Sequence, residues 1–135
     1  MTLSDEHIAK VRSLGLLGAG GSCLLYAVLA LIQNRPDPML WFVPLAIGVL
    51  AAIVIWTVCF IAGRGAAQAA SDELFLQITT KAQRHAYWIA LSMFALFAYP
   101  LISGMITWAT GFAAMGTITG AAYPLLFVFY EWRDA

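Results

Sequence analysis

Four apolar runs set the pattern of this chain: 13–32, 40–62, 86–106 and 111–130, none of which contains Asp, Glu, Lys, Arg or His. A helix needs about 20 mostly apolar residues to cross a bilayer, so each run predicts a membrane-spanning helix. The polar stretches between them are unequal: 33–39 (QNRPDPM), 63–85, and the very short 107–110 (TWAT). Pro36 and Pro38 close the first run and open the second, where a helix has to stop. The expected fold is all-α, an integral membrane bundle of four transmembrane helices forming one domain over 1–135. The first run is long enough to span and no AxA-like cleavage site follows it, so it reads as a span and not as a removed signal.

The longest connection carries the most information. Its second half, SDELFLQITTKAQRH at 71–85, gathers charge in an otherwise oily chain. Ser71 offers a capping hydroxyl, and Asp72 and Glu73 suit the positive first turn of a helix. No Gly or Pro then interrupts until Pro100. The third helix is therefore expected to begin near Asp72 and to run unbroken into the third span. The 14 residues before Ala86 would project about 20 Å at about 1.5 Å per residue. Leu74, Ile78 and Ala82 recur at helical spacing with Phe75 beside them, while Glu73, Gln77, Lys81 and Arg84 line a neighbouring polar face. Two readings stay open here. One is an amphipathic collar resting on lipid headgroups. The other is a docking surface for a cytosolic protein, built from Asp72, Glu73, Leu74, Phe75, Gln77, Ile78, Lys81, Arg84 and His85. The acidic pair favours docking, since acids gain nothing from anionic lipid. The N-terminal SDEH at 4–7 repeats the theme, with Ser4 before Asp5 and Glu6.

Charge then orients the spans. With an even number of spans, both termini and the 63–85 loop share one side. That side holds Lys10, Arg12, Arg64, Lys81, Arg84 and Arg133, against Arg35 alone on the other. Cytoplasmic loops collect Lys and Arg, so the termini are expected in the cytoplasm and the third helix extends into it. Tyr87, Trp88, Tyr130 and Trp132 fall at the inner interface, Trp41 and Trp108 at the outer one. The composition agrees: 10% of residues are charged, where soluble domains carry about 25%. Seven basic and seven acidic residues balance, so nothing points to direct nucleic-acid binding.

Reaction chemistry finds little support. The spans hold no ionisable group, which ion and proton carriers usually place at depth. Ser22, Ser92 and Ser103 have no base beside them in any span, and bonding back to the helix backbone is the simpler role for them. Cys23 and Cys59 lie singly in apolar runs. His7 and His85 do not form a pair of axial ligands at depth. No catalytic residue, metal or cofactor is expected.

Small residues and prolines suggest packing instead. Gly15, Ala19, Gly18 and Ser22 give small-xxx-small spacing on the first span, and Gly116 and Gly120 give it on the fourth. Both intramolecular packing and a homodimer stay open. The tetrapeptide AYPL occurs at 98–101 and 122–125, where proline frees a carbonyl and commonly kinks a helix. Tyr99, Pro100, Tyr123 and Pro124 are candidates for a lipophilic-ligand pocket, which would make the chain a small carrier or ligand binder. An accessory subunit of a larger membrane complex is a further alternative.

Asp72, Glu73, Ile78, Lys81, Ala82, Ala86 and Trp88 form the pattern DExxxxI-xx-KAxxxAxW. In this the chain resembles uncharacterised small bacterial four-helix inner-membrane proteins, often encoded beside helix-turn-helix regulators of the XRE type. The resemblance covers the four-span layout and this one loop. It implies a multi-pass protein of the bacterial cell inner membrane that sequesters or antagonises a cytosolic transcriptional regulator. Asp72, Glu73, Lys81 and Arg84 would then belong to the contact surface.

Overall fold

The computed structural model describes residues 5–69 and 73–134 and contains four helices: α1 (Asp5–Gln33), α2 (Phe42–Ala69), α3 (Glu73–Ile102) and α4 (Trp108–Asp134). All four are long and apolar enough to cross a membrane. Among the described residues the chain is all-α, as its apolar runs predict. The end carrying both termini is here called the terminal end, and the opposite end, with connections 34–41 and 103–107, the loop end.

Local chemistry sets the helix boundaries. Asn34 adopts a positive φ of 48°. The Arg35 amide donates to the Ala30 carbonyl at 3.1 Å and the Asn34 amide to Leu31 at 3.3 Å. This is the paired Schellman arrangement that satisfies the last carbonyls of a helix, with Asn in place of the usual Gly. Tyr26 hydroxyl then ties the turn down by donating to the Pro36 carbonyl at 2.8 Å. α3 ends at a glycine with positive φ, Gly104 at 74°, whose amide donates to the Leu101 carbonyl at 3.3 Å, while the Ile106 amide donates to Pro100 at 3.3 Å. The fourth helix starts earlier than its apolar run suggests. Thr107 is its cap: its Oγ1 accepts from the Thr110 amide at 3.2 Å, and its carbonyl accepts from the Gly111 amide at 2.9 Å. Residues 108–110 of TWAT are therefore helix, not connection, because a capping threonine sits just ahead of them.

α2 runs past its apolar span to Ala69, with a break at Gly63 (φ 84°, ψ 167°), a backbone state that favours glycine. α3 and α4 each continue through their proline, Pro100 and Pro124.

The helices pack unevenly. α4 lies between α1 and α3, and α1 carries α2 on its other side. Among the described residues α2 packs against α1 alone, and its most apolar stretch buries nothing. Two clusters hold α1, α3 and α4 together. At the terminal end Ile78, Ala82, Phe127 and Tyr130 are buried, with Leu16, Phe75, Tyr123 and Leu126 against them. At the loop end Phe97, Leu101, Ala114 and Met115 are buried, with Leu31, Met93, Ile106 and Ile118 around them.

Candidate functional site

The start of α3 extends beyond its apolar run in company. α1 begins at Asp5 and α4 runs to Asp134, so both accompany it beyond the apolar spans. Ile78 and Ala82 are buried against Phe127 and Tyr130, and the Phe75 ring meets Phe127 at 5.6 Å. Ile78, and most of Phe75, are thus removed from the proposed docking face. The spacing of Leu74, Ile78 and Ala82 marks an apolar stripe, but a stripe carries no statement of what covers it. Here the covering is the chain's own fourth helix.

An ion pair completes this terminal cluster. Arg12 donates to Glu131 Oε1 at 2.7 Å, and Ser13 hydroxyl donates to Glu131 Oε2. The two charged side chains are only 14% and 16% exposed. The Arg12 guanidinium also lies 4.4 Å from the Phe75 ring centre and 5.2 Å from that of Phe127. A planar, weakly hydrated cation suits such an aromatic slot far better than an ammonium would. The sequence placed Arg12 and Glu131 at the same end of the bundle but gave no reason to pair them, since 119 residues separate the two.

Lys81 is likewise engaged within the chain. Its Nζ donates to Asp134 Oδ2 at 3.1 Å and stands 4.7 Å from the Tyr130 ring centre. Arg133 bonds Asp134 at 2.8 Å and approaches the same ring at 5.0 Å. Beyond the apolar run of α4, hydrogen bonds from Arg133 first and Lys81 second hold the Asp134 carboxyl below the usual carboxylate range. His85 packs its ring 5.6 Å from that of Tyr130 and donates from Nδ1 to the Lys81 carbonyl at 2.8 Å.

What remains open is the outer face of α3. There Glu73, Leu76, Gln77, Thr80, Lys81, Arg84, His85 and Trp88 line an open concavity of about 860 Å³. Of the residues expected to meet a partner, Glu73, Gln77, Lys81, Arg84 and His85 line it. Leu74 is exposed but is not among the lining residues. Asp72 and the capping Ser71, like Ser4, lie outside the described residues. Leu76, Thr80 and Trp88 join the face without having been expected there. Helical spacing from Glu73 (77, 80, 84, 88) reaches Thr80 and Trp88.

The other candidates separate. Tyr99 is exposed near the loop-end cluster of Phe97 and Leu101, whereas Tyr123 packs in the terminal cluster 6.2 Å from Phe127. Pro124 faces Gly20 on α1. The two AYPL copies share no pocket, because antiparallel helices place them at different depths. Among the small residues, Gly15 is a packing site: a Cβ there would lie 3.2 Å from Ile55 and 3.3 Å from Ala51 of α2. Gly18 approaches Ile47 only at 3.9 Å, and Ser22 bonds back to the Ala19 carbonyl at 2.8 Å. Gly116 and Gly120 face open space, so they pack no helix within the described chain. Closer approaches lie elsewhere: at Gly111, where a Cβ would meet Leu101 of α3 at 2.5 Å, and at Gly20, where it would meet Leu125 Cγ at 2.8 Å and Pro124 at 3.2 Å.

Among the described residues, no three His, Cys, Asp or Glu side chains come together as metal ligands. Compared with protein-family models, curated proteins and solved structures, the chain matches none.

Proposed function

We propose that this chain is a non-enzymatic, membrane-anchored interaction protein of a bacterial inner membrane, with both termini in the cytosol. The outer face of α3 receives a cytosolic protein. The resemblance carried by DExxxxI-xx-KAxxxAxW makes a helix-turn-helix transcriptional regulator the partner of choice, sequestered or antagonised at the membrane. The observation that carries the reading is the open concavity along α3, where Leu76 is 59% exposed among Glu73, Gln77 and Thr80. An exposed leucine rimmed by polar side chains, beyond an apolar span, is the kind of anchor a docked partner covers.

Phe75 packs against Arg12 and Phe127, so replacing it would damage the fold and say nothing about docking. Leu76→Asp with Thr80→Asp alters the open face alone. A soluble helix-turn-helix protein is expected to co-purify with the wild-type chain in mild detergent and to be lost from the double variant. The same set of soluble proteins on both would overturn the reading.

A second reading, a subunit of a larger membrane complex, is supported by α2, which packs on one neighbour among the described residues. It predicts co-purifying proteins that themselves span the membrane.

A further inference from the structure

We infer that the membrane-proximal half of the α3 concavity is a site for the phosphate of an anionic phospholipid, gripped by Arg84 with Trp88 beneath it. The inference needs only that α3 spans a bilayer; it does not depend on a docked cytosolic protein.

Depth is the first argument. From Arg84 to the end of α3 at Ile102 the helix rises about 27 Å at about 1.5 Å per residue, close to the about 30 Å of a hydrocarbon core. Arg84 therefore stands at the phosphate level of the leaflet on the terminal side. Trp88 follows one turn deeper on the same face and is 60% exposed, in the position of an interfacial indole.

Charge is the second argument. Lys81 and Arg133 both bond Asp134, and Arg12 bonds Glu131. Arg84, by contrast, is exposed and has no ion-pair partner among the described residues. A guanidinium fork matches two phosphate oxygens at once.

The third argument separates lipid from an acidic protein. The acidic lining residue, Glu73, lies at the far end of the concavity, 11 residues and about 16 Å from Arg84 along the helix. The cationic part is the part that the headgroup layer reaches.

The test uses the full chain in mild detergent, with retained lipid read by native mass spectrometry. Phosphatidylglycerol is expected to be retained roughly fivefold over phosphatidylcholine, the scale of one interfacial cation. Arg84→Gln should bring the two lipids to parity, and Arg84→Lys should keep part of the preference as a point charge without the fork. Arg35→Gln, at the loop end, should leave it intact. Parity in the wild type, or an unchanged preference in Arg84→Gln, would overturn the site. Displacement of the lipid by glycerol phosphate alone would also overturn it, by showing a site for a free phosphate.

Discussion

α2 and α3 are nearly equal in length, 28 and 30 residues, and are treated oppositely by the rest of the molecule. α3 is the more polar of the two, yet it is the one locked in place, along α4 and through Phe75 onto Arg12 of α1. The apolar run of α2 has no polar face, and among the described residues α2 packs on α1 alone. The contrast follows from the solvent. Lipid tails are as apolar as leucine, so an all-apolar helix has no drive to leave them, and close packing or polar contacts must supply the association. α3 has both: aromatic rings and charges gather where its first turns leave the apolar layer. α2 packs along α1 through apolar contacts, such as Gly15 against Ala51 and Ile55 and Gly18 against Ile47.

The largest expected effect tests the locked side of this contrast. Phe127 is 1% exposed and meets Phe75, Tyr123 and the Arg12 guanidinium. Phe127→Ala should cost about 3–5 kcal/mol, the range for a buried phenylalanine. Phe60→Ala on α2, a ring 76% exposed, should stay within about 0.5 kcal/mol. Equilibrium unfolding in mixed micelles measures both. Equal losses would dissolve the distinction between the two helices.

Next in size is the Arg12–Glu131 pair. Arg12→Ala leaves a nearly buried carboxylate without its cation, which should cost about 3 kcal/mol. Removing both charges together, as Arg12→Met with Glu131→Leu, should recover much of that loss, because no uncompensated charge is then left behind. A double variant as unstable as the sum of its parts would show that geometry, not charge, holds the cluster.

These two sites also mark what the sequence could and could not reveal. The spans were legible because about 20 apolar residues in a row have few other uses. The unbroken course of α3 was legible from the absence of Gly and Pro between Glu73 and Pro100. The inward turn of Ile78 and the Arg12–Glu131 bond were not, since both depend on which helices become neighbours, and periodicity is silent on that. Small-residue spacing is silent on neighbours for the same reason. Gly116 and Gly120 meet nothing within the described chain, while Gly20, one of several glycines in GLLGAGGS, closely approaches α4 at Leu125 and Pro124.

A third, smaller effect follows from that approach. Gly20→Ala pushes a methyl to 2.8 Å from the Leu125 branch carbon, a contact that no rotation of a chain end relieves. Overpacking of this kind costs about 1–3 kcal/mol. Gly15→Ala, with its nearest neighbours at 3.2 and 3.3 Å, should cost less than Gly20→Ala and should loosen α2 without disturbing the terminal cluster. Amide exchange would show this as faster opening confined to α2. Exchange quickened in α4 as well would mean that α2 braces the other three helices, against the packing described above.

The smallest expected effect is the one most able to sharpen the comparison. Gly116→Ala and Gly120→Ala each place a methyl in open space, so unfolding in mixed micelles should move by no more than about 0.5 kcal/mol. In lipid the same stripe could be covered by a second copy, because small-xxx-small spacing lets two helices approach closely. The bulkier Gly116→Leu separates these cases. Energy transfer between labelled chains in liposomes should be the same for wild type and Gly116→Leu if the stripe faces lipid. A fall in transfer confined to the variant would give α4 a partner outside the chain. The open face of α4 would then resemble α3, held by contacts, more than α2, left to the lipid.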